Sequence, residues 1–319
     1  MKKLITIIYT KIVMISPRIE VKMRQLYWHN VKYFSKFNPF KHIDKVSKDA
    51  IHVDFDEIID FLKCNGIKKG SLIIVHSSYD MLKCTGLSPK EIIDKLLDII
   101  GDTGTLAMPA IRSYKEIKNG KDRIGQDVND IVCRYDKKRT PINTGILSFT
   151  LVRYRNSIVS PHPINTMVAI GPLAKAMMEH NIDGETPSPS GPNSSWKFCY
   201  DNKAKVIGLG VDLEHYNSML HVAEEAFGDW HWPDYEWFRL RKFDLVNDDG
   251  SIHRIVVKER KPEWGMLYLA EKHMNYDLTK AGIYKRTMIK GAIPLCIDDA
   301  QEYVSFFRKR NKNGYPYFK

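Results

Sequence analysis

A chain of 319 residues, 43% hydrophobic and 27% charged, can bury one large core or two modest ones, which excludes a disordered or fibrous class. Its five cysteines (Cys64, Cys84, Cys133, Cys199, Cys296) are scattered, odd in number and free of any CxxC pair, so neither a disulfide framework nor a cysteine zinc site is expected, and a reducing cytoplasm fits best. The net charge of +11 is uneven: residues 1–50 carry eleven Lys and Arg against Glu20, Asp44 and Asp49, and the remainder is close to neutral.

The chain opens on this basic arm. Its run "LITIIYTKIVMI" is cut by Lys11, falls short of the ~20 apolar residues of a spanning helix and lacks a small-residue cleavage site, so neither a span nor a secretory signal is expected. The arm reads first as an amphipathic segment packed on the body or on a partner subunit. Its Lys and Arg interleave with Ile, Tyr, Phe and Trp28, which also suits peripheral contact with the inner face of a membrane. No nucleic-acid-binding module accompanies it, so nucleic acid is not an expected partner. The expected partition is residues 1–50 as a basic extension and 51–319 as one catalytic domain.

Helix and strand patterns then alternate. "FDEIIDFLKCNGI" sets Phe55, Ile58, Ile59 and Leu62 on one helical face and ends in Asn-Gly, and "SLIIVHSS" follows as a short β-branched strand. "SPKEIIDKLLDIIG" predicts a helix capped by Ser88, with Pro89 in its first turn and Gly101 at its end, and "GTLAMPAI" predicts a buried strand. Strands are read before Gly145, in "INTMVAIG" and in "KAKVIGLGV", with a Pro-started helix in "PLAKAMMEHN". After the aromatic-rich "FGDWHWPDYEWFRLRKF", the segment "FDLVNDDGSIHRIVVK" predicts a hairpin around Asp-Asp-Gly. The tail predicts a strand pair and a helix begun by Asp298 or Asp299. Such alternation implies a layered α/β domain.

Four polar clusters follow these elements. In "VHSSYDMLKCTG", Ser77, Ser78, Lys83, Thr85 and Gly86 offer hydroxyls, N–H groups and a cation suited to pyrophosphate, or simply a capped loop. In "VSPHPINTM", His162 stands between two prolines and reads as a structural or ligand contact. "TPSPSGPNSSWK" reads as a surface connection. The fourth, "GLGVDLEHYNSMLHVAEE", could be a turn, a metal site or a working site. A helix begun near Asn217 would put His221 and Glu224 at i and i+3, where the carboxylate can orient the imidazole as a general base. A metal site is not expected, because His215 and His221 are six apart and no HExxH is present; nor is a serine hydrolase, because there is no GxSxG elbow.

In order and spacing, "LIIVHSSYDMLKCTGLSPKEIIDKLLDIIGDTGTLAMPAI", "RTPINTGILSFTLVRYRNSIVSPHPINTMVAIGPLAKAM", "SPSGPNSSWKF", "VIGLGVDLEHYNSMLHVAEE" and the C-terminal "GIYKRTMIKGAIPLCIDDAQEYVSFF" resemble the aminoglycoside 3-N-acetyltransferase family over about residues 52–310. The resemblance implies a single layered α/β/α domain with a central mixed sheet, distinct from the GNAT fold. It implies acetyl-CoA as cosubstrate, no metal, an amine on a sugar as acceptor, and direct transfer without an acyl-enzyme. The matching positions place His76, Ser77, Ser78, Ser160 and His162 along the CoA arm, and make His221 the base with Glu224 and Asn217 beside it. Asp212 and Glu225 are further candidates to contact the substrate amine. Backbone N–H groups near Ser77 and Ser78 are expected to meet the oxyanion.

In one place the chain departs from the family: where Gly-x-x-Pro-Glu is usual, it reads Gly145-Ile146-Leu147-Ser148-Phe149, an aromatic for a carboxylate. With the neutral body and the Trp230–Trp237 aromatics, this leads to the expectation of a less cationic acceptor, a nucleotide- or lipid-linked amino sugar of surface-polysaccharide biosynthesis. The alternatives are an aminoglycoside acetyltransferase that confers antibiotic resistance and a non-catalytic homologue acting as a binding protein.

Overall fold

The computed structural model describes residues 52–118, 125–213, 217–230, 238–262 and 268–311, with Ile19, Lys22, Met23 and Leu26 besides. The expectations for the rest of the basic arm, for His215 and for the aromatic residues 231–237 lie outside the described residues.

Strands β1 (Leu72–Ser77), β2 (Thr105–Pro109), β4 (Ile158–Val159), β5 (Met167–Ile170), β6 (Lys205–Leu209), β9 (Lys285–Ile289) and β10 (Ile293–Asp299) form a mixed seven-stranded sheet in the order β4-β5-β2-β1-β6-β10-β9. The centre is parallel, with Ile74 opposite Ala107 of β2 and Val206 of β6; β10 runs antiparallel to β6, and β5 to β2. Alternate side chains enter opposite layers. Leu72, Ile74, Val206 and Cys296 join helices α5 (Ala174–Met178), α6 (Ser195–Asp201), α7 (Met219–Glu225) and α9 (Ala300–Arg310) on one face. Ile73, Val75, Ile207 and Leu295 join α1 (Phe55–Cys64), α3 (Pro89–Ile100) and α4 (Ile146–Leu151) on the other. Burial on both faces explains the nearly unbroken apolar runs in the sequence.

Helix ends follow the capping residues. Asp54 caps α1 by accepting from the Asp56 N–H at 3.0 Å, and Ser88 and Glu91 close a reciprocal capping box at the start of α3. Of the two candidates for the last helix, Asp299 is the cap, taking the N–H groups of Gln301 and Glu302. Helix α5 is shorter than predicted because Asn181 Nδ2 donates to Met177 O, 2.9 Å, and Asn193 O, 3.0 Å, tying the chain down just beyond the last turn. The strand expected before Gly145 is reduced to an isolated bridge between Ile142 and Arg112; Gly145, at φ +95°, then turns the chain into α4.

The predicted hairpin is present as β7 (Phe238–Val246) and β8 (Ile252–Arg260), and it does more than a surface ribbon. With β3 (Val132–Asp136) parallel to β7, it forms a second, three-stranded sheet packed around Cys133, Tyr135, Phe243, Leu245 and Val257. The remaining elements are the four-residue α2 (Tyr79–Leu82), a 3-10 turn over Lys83–Thr85, and α8 (Tyr268–Lys280).

Candidate active site

Parallel pairing of β1 and β6, with Ser77 opposite Leu209, brings the His-Ser-Ser loop and the segment leading to α7 to the same carboxyl edge of the sheet, where open α/β sheets hold their ligands. Gly208 is required in β6 because a Cβ there would lie 2.3 Å from Cys296 Sγ and 2.5 Å from Val211 O. Helix α7 starts at Met219, two residues later than expected, with the Asn217 side chain accepting the Met219 N–H at 3.0 Å. Met219, Leu220, Val222 and Ala223 are buried, at roughly 1.5–3 kcal/mol for each large side chain, and this fixes the rotation of the short helix.

That rotation leaves His221 partly exposed at 23% and Glu224 wholly enclosed, with Nδ1 of the imidazole 2.7 Å from Glu224 Oε2. A carboxylate accepts only, so the ring proton sits on Nδ1 and the lone pair on Nε2 is the basic one. The predicted pair is therefore assembled. A guanidinium from the end of β8 lies against the pair: Arg260 Nη2 is 2.8 Å from His221 Nε2, and Nη1 is 2.9 Å from Nδ1 and 3.3 Å from Glu224 Oε2. Sequence reasoning missed Arg260, since only the topology of the small sheet returns residue 260 to α7.

Asn217 performs a framework task as well as capping: its Nδ2 donates to Asp298 Oδ2 at 2.8 Å, tying α7 to β10. Burial pushes the Asp298 carboxyl well above the usual carboxylate range. Glu225 is also engaged by the protein. Its Oε2 accepts from Ser188 Oγ and from the Ser190 N–H, the latter at 2.9 Å, so it clamps the Pro/Ser loop onto α7, and burial raises its carboxyl too. Asp212 accepts from Tyr284 OH at 2.5 Å and lies 3.7 Å from Arg286.

The expected CoA residues divide into two groups. His76 is buried with Nε2 unpartnered, and burial lowers its pKa to about 4, so the ring there is neutral. Ser78 stands at the N-cap of α2, and its hydroxyl makes no capping bond. Its backbone N–H, however, donates to Leu209 O at 3.0 Å, which corrects the expectation that it serves an oxyanion. The second group is committed internally. Lys83 Nζ pairs with Asp80 at 2.6 Å, Thr85 Oγ1 closes its own turn onto Leu82 O at 2.7 Å, and Gly86 supplies the left-handed residue that ends the turn. Ser160 Oγ bonds Asn181 Oδ1 at 2.6 Å, and His162 is buried with its ring against Ile164 O, 2.8 Å, and Pro187 O, 3.4 Å, its pKa lowered to about 4. Thr85, Ser160 and His162 thus hold the surrounding loops, Lys83 forms an exposed pair within one helical turn, and His76 Nε2 is unpartnered.

Phe149 does not face the dyad layer. It lies on α4, 40% exposed, with the Arg153 guanidinium 3.2 Å from its ring centroid. Helix α4 packs in the layer opposite α7, and the side chain of Phe149 is occupied by Arg153 of its own helix. The thiols of Cys199 and Cys296 are pushed up by burial, that of Cys296 to about 12, which keeps them protonated packing groups.

A carboxylate-oriented imidazole thus stands at the carboxyl edge of a mixed α/β sheet, an arrangement suited to proton transfer. The chain belongs to the aminoglycoside 3-N-acetyltransferase family, whose model matches residues 74–310. It is similar to aminoglycoside N(3)-acetyltransferase IX of Micromonospora chalcea, 29% identical over 165 residues that cover 50% of this chain and 57% of that protein. Among solved structures it is similar to AAC-IIIb in binary complex with CoASH, TM-score 0.63 at 20% identity over 81% of this chain and 96% of that one. AAC-VIa bound to sisomicin gives TM-score 0.65 at 18% identity over 82% and 98%. At these identities the structures show the shared fold. Among the described residues no helix is long and apolar enough to cross a membrane.

Proposed function

We propose that the protein is an acetyl-CoA-dependent N-acetyltransferase that acetylates a primary amine of an aminoglycoside-type sugar. The observation that carries this reading is the 2.7 Å His221–Glu224 bond, which fixes the imidazole with Nε2 as its acceptor nitrogen. The family and the CoASH- and sisomicin-bound neighbours support donor and acceptor. The expectation of a nucleotide- or lipid-linked sugar has no counterpart among these relatives.

Acetyl-CoA, when bound, would supply an activated acetyl thioester; His76 and Ser78 are the residues with polar groups available to hold its arm. An ammonium group first releases one proton to solvent. His221 Nε2 then takes a second proton from the nitrogen as the N–C bond forms, and passes it to sulfur as the C–S bond breaks. Glu224 stabilises the imidazolium between those two transfers, and no covalent nucleophile is needed.

The test is thiol release from acetyl-CoA with kanamycin, gentamicin and a panel of nucleotide amino sugars. Turnover of the aminoglycosides is expected, with a loss of ~100-fold or more in His221→Ala. Release with the nucleotide sugars alone would overturn the acceptor, and wild-type kcat in His221→Ala would remove the base.

A further inference from the structure

We infer that Arg260 is a resident cap on the catalytic base, which holds the acceptor-amine position in the free protein and is displaced when a primary ammonium group binds. The inference rests on the general-base reading of His221 given above. Its warrant is geometric. Arg260 comes from β8, on a different sheet from the strand that leads to α7, yet Nη2 lies 2.8 Å from His221 Nε2, the nitrogen a substrate proton must reach. The other guanidinium nitrogen lies 2.9 Å from His221 Nδ1 and 3.3 Å from Glu224 Oε2, so one planar group covers both ring nitrogens and reaches the carboxylate. A guanidinium in that position occupies the approach to Nε2 that a substrate amine needs, and the two cannot be there together.

The charge at the site says what can replace the cap. Among the described residues the ionisable groups that face His221 are Glu224 and Glu225 on its own helix and Arg260 from β8, while Asp298 of β10 is reached through Asn217. Glu224 is fully enclosed, so removal of the guanidinium without replacement would take a cation from beside a buried carboxylate. An incoming primary ammonium substitutes cation for cation and can present N–H donors to Nε2 and Oε2 in turn. A neutral amide or hydroxyl cannot restore the charge. Arg260 is on this account a specificity-determining residue that selects cationic primary amines, and its contact in the free protein raises KM without assisting the chemical step.

Two readouts test this, one of them independent of turnover. Diethyl pyrocarbonate modifies accessible neutral imidazole nitrogens, and mass spectrometry reports the modification rate of His221. The rate should rise about 10-fold in Arg260→Gln, and less in Arg260→Lys, whose single ammonium head retains charge but cannot span both partners. In kanamycin acetylation, Arg260→Gln should lower KM by about 10-fold with kcat within about 3-fold of wild type, the signature of a lost ground-state competitor. An unchanged or slower modification rate in both variants overturns the cap. A raised KM overturns displacement, because Arg260 would then be holding the acceptor. Faster modification without any kanamycin turnover supports the cap and counts against the proposed acceptor instead.

Discussion

Glu224→Gln isolates the carboxylate charge at the base while retaining the side chain's volume. Glu224 is wholly enclosed, and its Oε2 is 2.7 Å from His221 Nδ1. The glutamine carbonyl can still accept that N–H, so the tautomer and the ring orientation persist. What is lost is the charge that stabilises the imidazolium while it carries the substrate proton. A hydrogen bond to a charged group contributes about 1.5–3 kcal/mol and a neutral one about 0.5–1.5, so the change removes about 1–2 kcal/mol from the transition state, or about 5–30-fold in rate. The bare attraction of two unit charges at ~4 Å, about 4 kcal/mol at an effective dielectric of ~20, sets the upper limit. Arg260 shares the same oxygen, which keeps the net effect below that limit. Single-turnover acetyl transfer at saturating donor and acceptor reads the chemical step directly. A rate within twofold of wild type in a folded Glu224→Gln protein would refute the role assigned to the carboxylate.

Burial of His76, pKa about 4 against 6.5 in the unfolded chain, means that the unfolded state binds more protons between those values, so stability falls as pH drops through that window and is constant above it. From pH 7.5 to 5.0 the loss is about 2 kcal/mol for this histidine in urea unfolding, and His76→Leu, which removes the proton site and the unpartnered Nε2, should show a correspondingly shallower slope. An identical slope would sink the assignment. Glu225→Gln should unfold within about 1 kcal/mol of wild type, because the glutamine carbonyl can still accept from Ser188 and the Ser190 N–H, whereas Glu225→Ala should lose about 1–3 kcal/mol by leaving both donors unpaired; thermal unfolding separates the two. Phe149→Glu should leave KM for kanamycin within about twofold, since the new carboxylate would pair with Arg153 on an outward-facing helix; a large fall in KM would place α4 at the acceptor site after all.

The elements legible in the sequence were those whose determinants are local. Ser88 announces α3 because a capping bond spans three residues, the apolar stripe Phe55, Ile58, Ile59 and Leu62 announces α1 because it repeats within one helix, and the strands announce themselves because both of their faces are buried. His221 and Glu224 were readable for the same reason, lying one helical turn apart. Position 149 is not legible in that way: a substitution against a family pattern shows a changed side chain, but not which side of the sheet it faces. The groups that set the electrostatics of the base are not local either. Arg260 is 39 residues from His221 in sequence, and Asp298 is 81 from Asn217. Each arrives on a strand whose own pattern shows only that it is a strand.

That division has a consequence for function within such a fold. The dyad can be carried intact by a short stretch of sequence, while the group facing it depends on where a remote hairpin ends. Here β8 ends on a guanidinium, and β8 is held in place by its nine-residue pairing with β7 and by the buried Arg241–Glu259 bond, 3.0 Å, one residue before the cap. Shortening or shifting that hairpin by one residue would reverse the alternation, turn position 260 away from His221 and bring position 259 or 261 to its place. Charge at the base, and with it the choice of acceptor, is therefore adjustable through the register of the small sheet without any change in the residues that perform proton transfer.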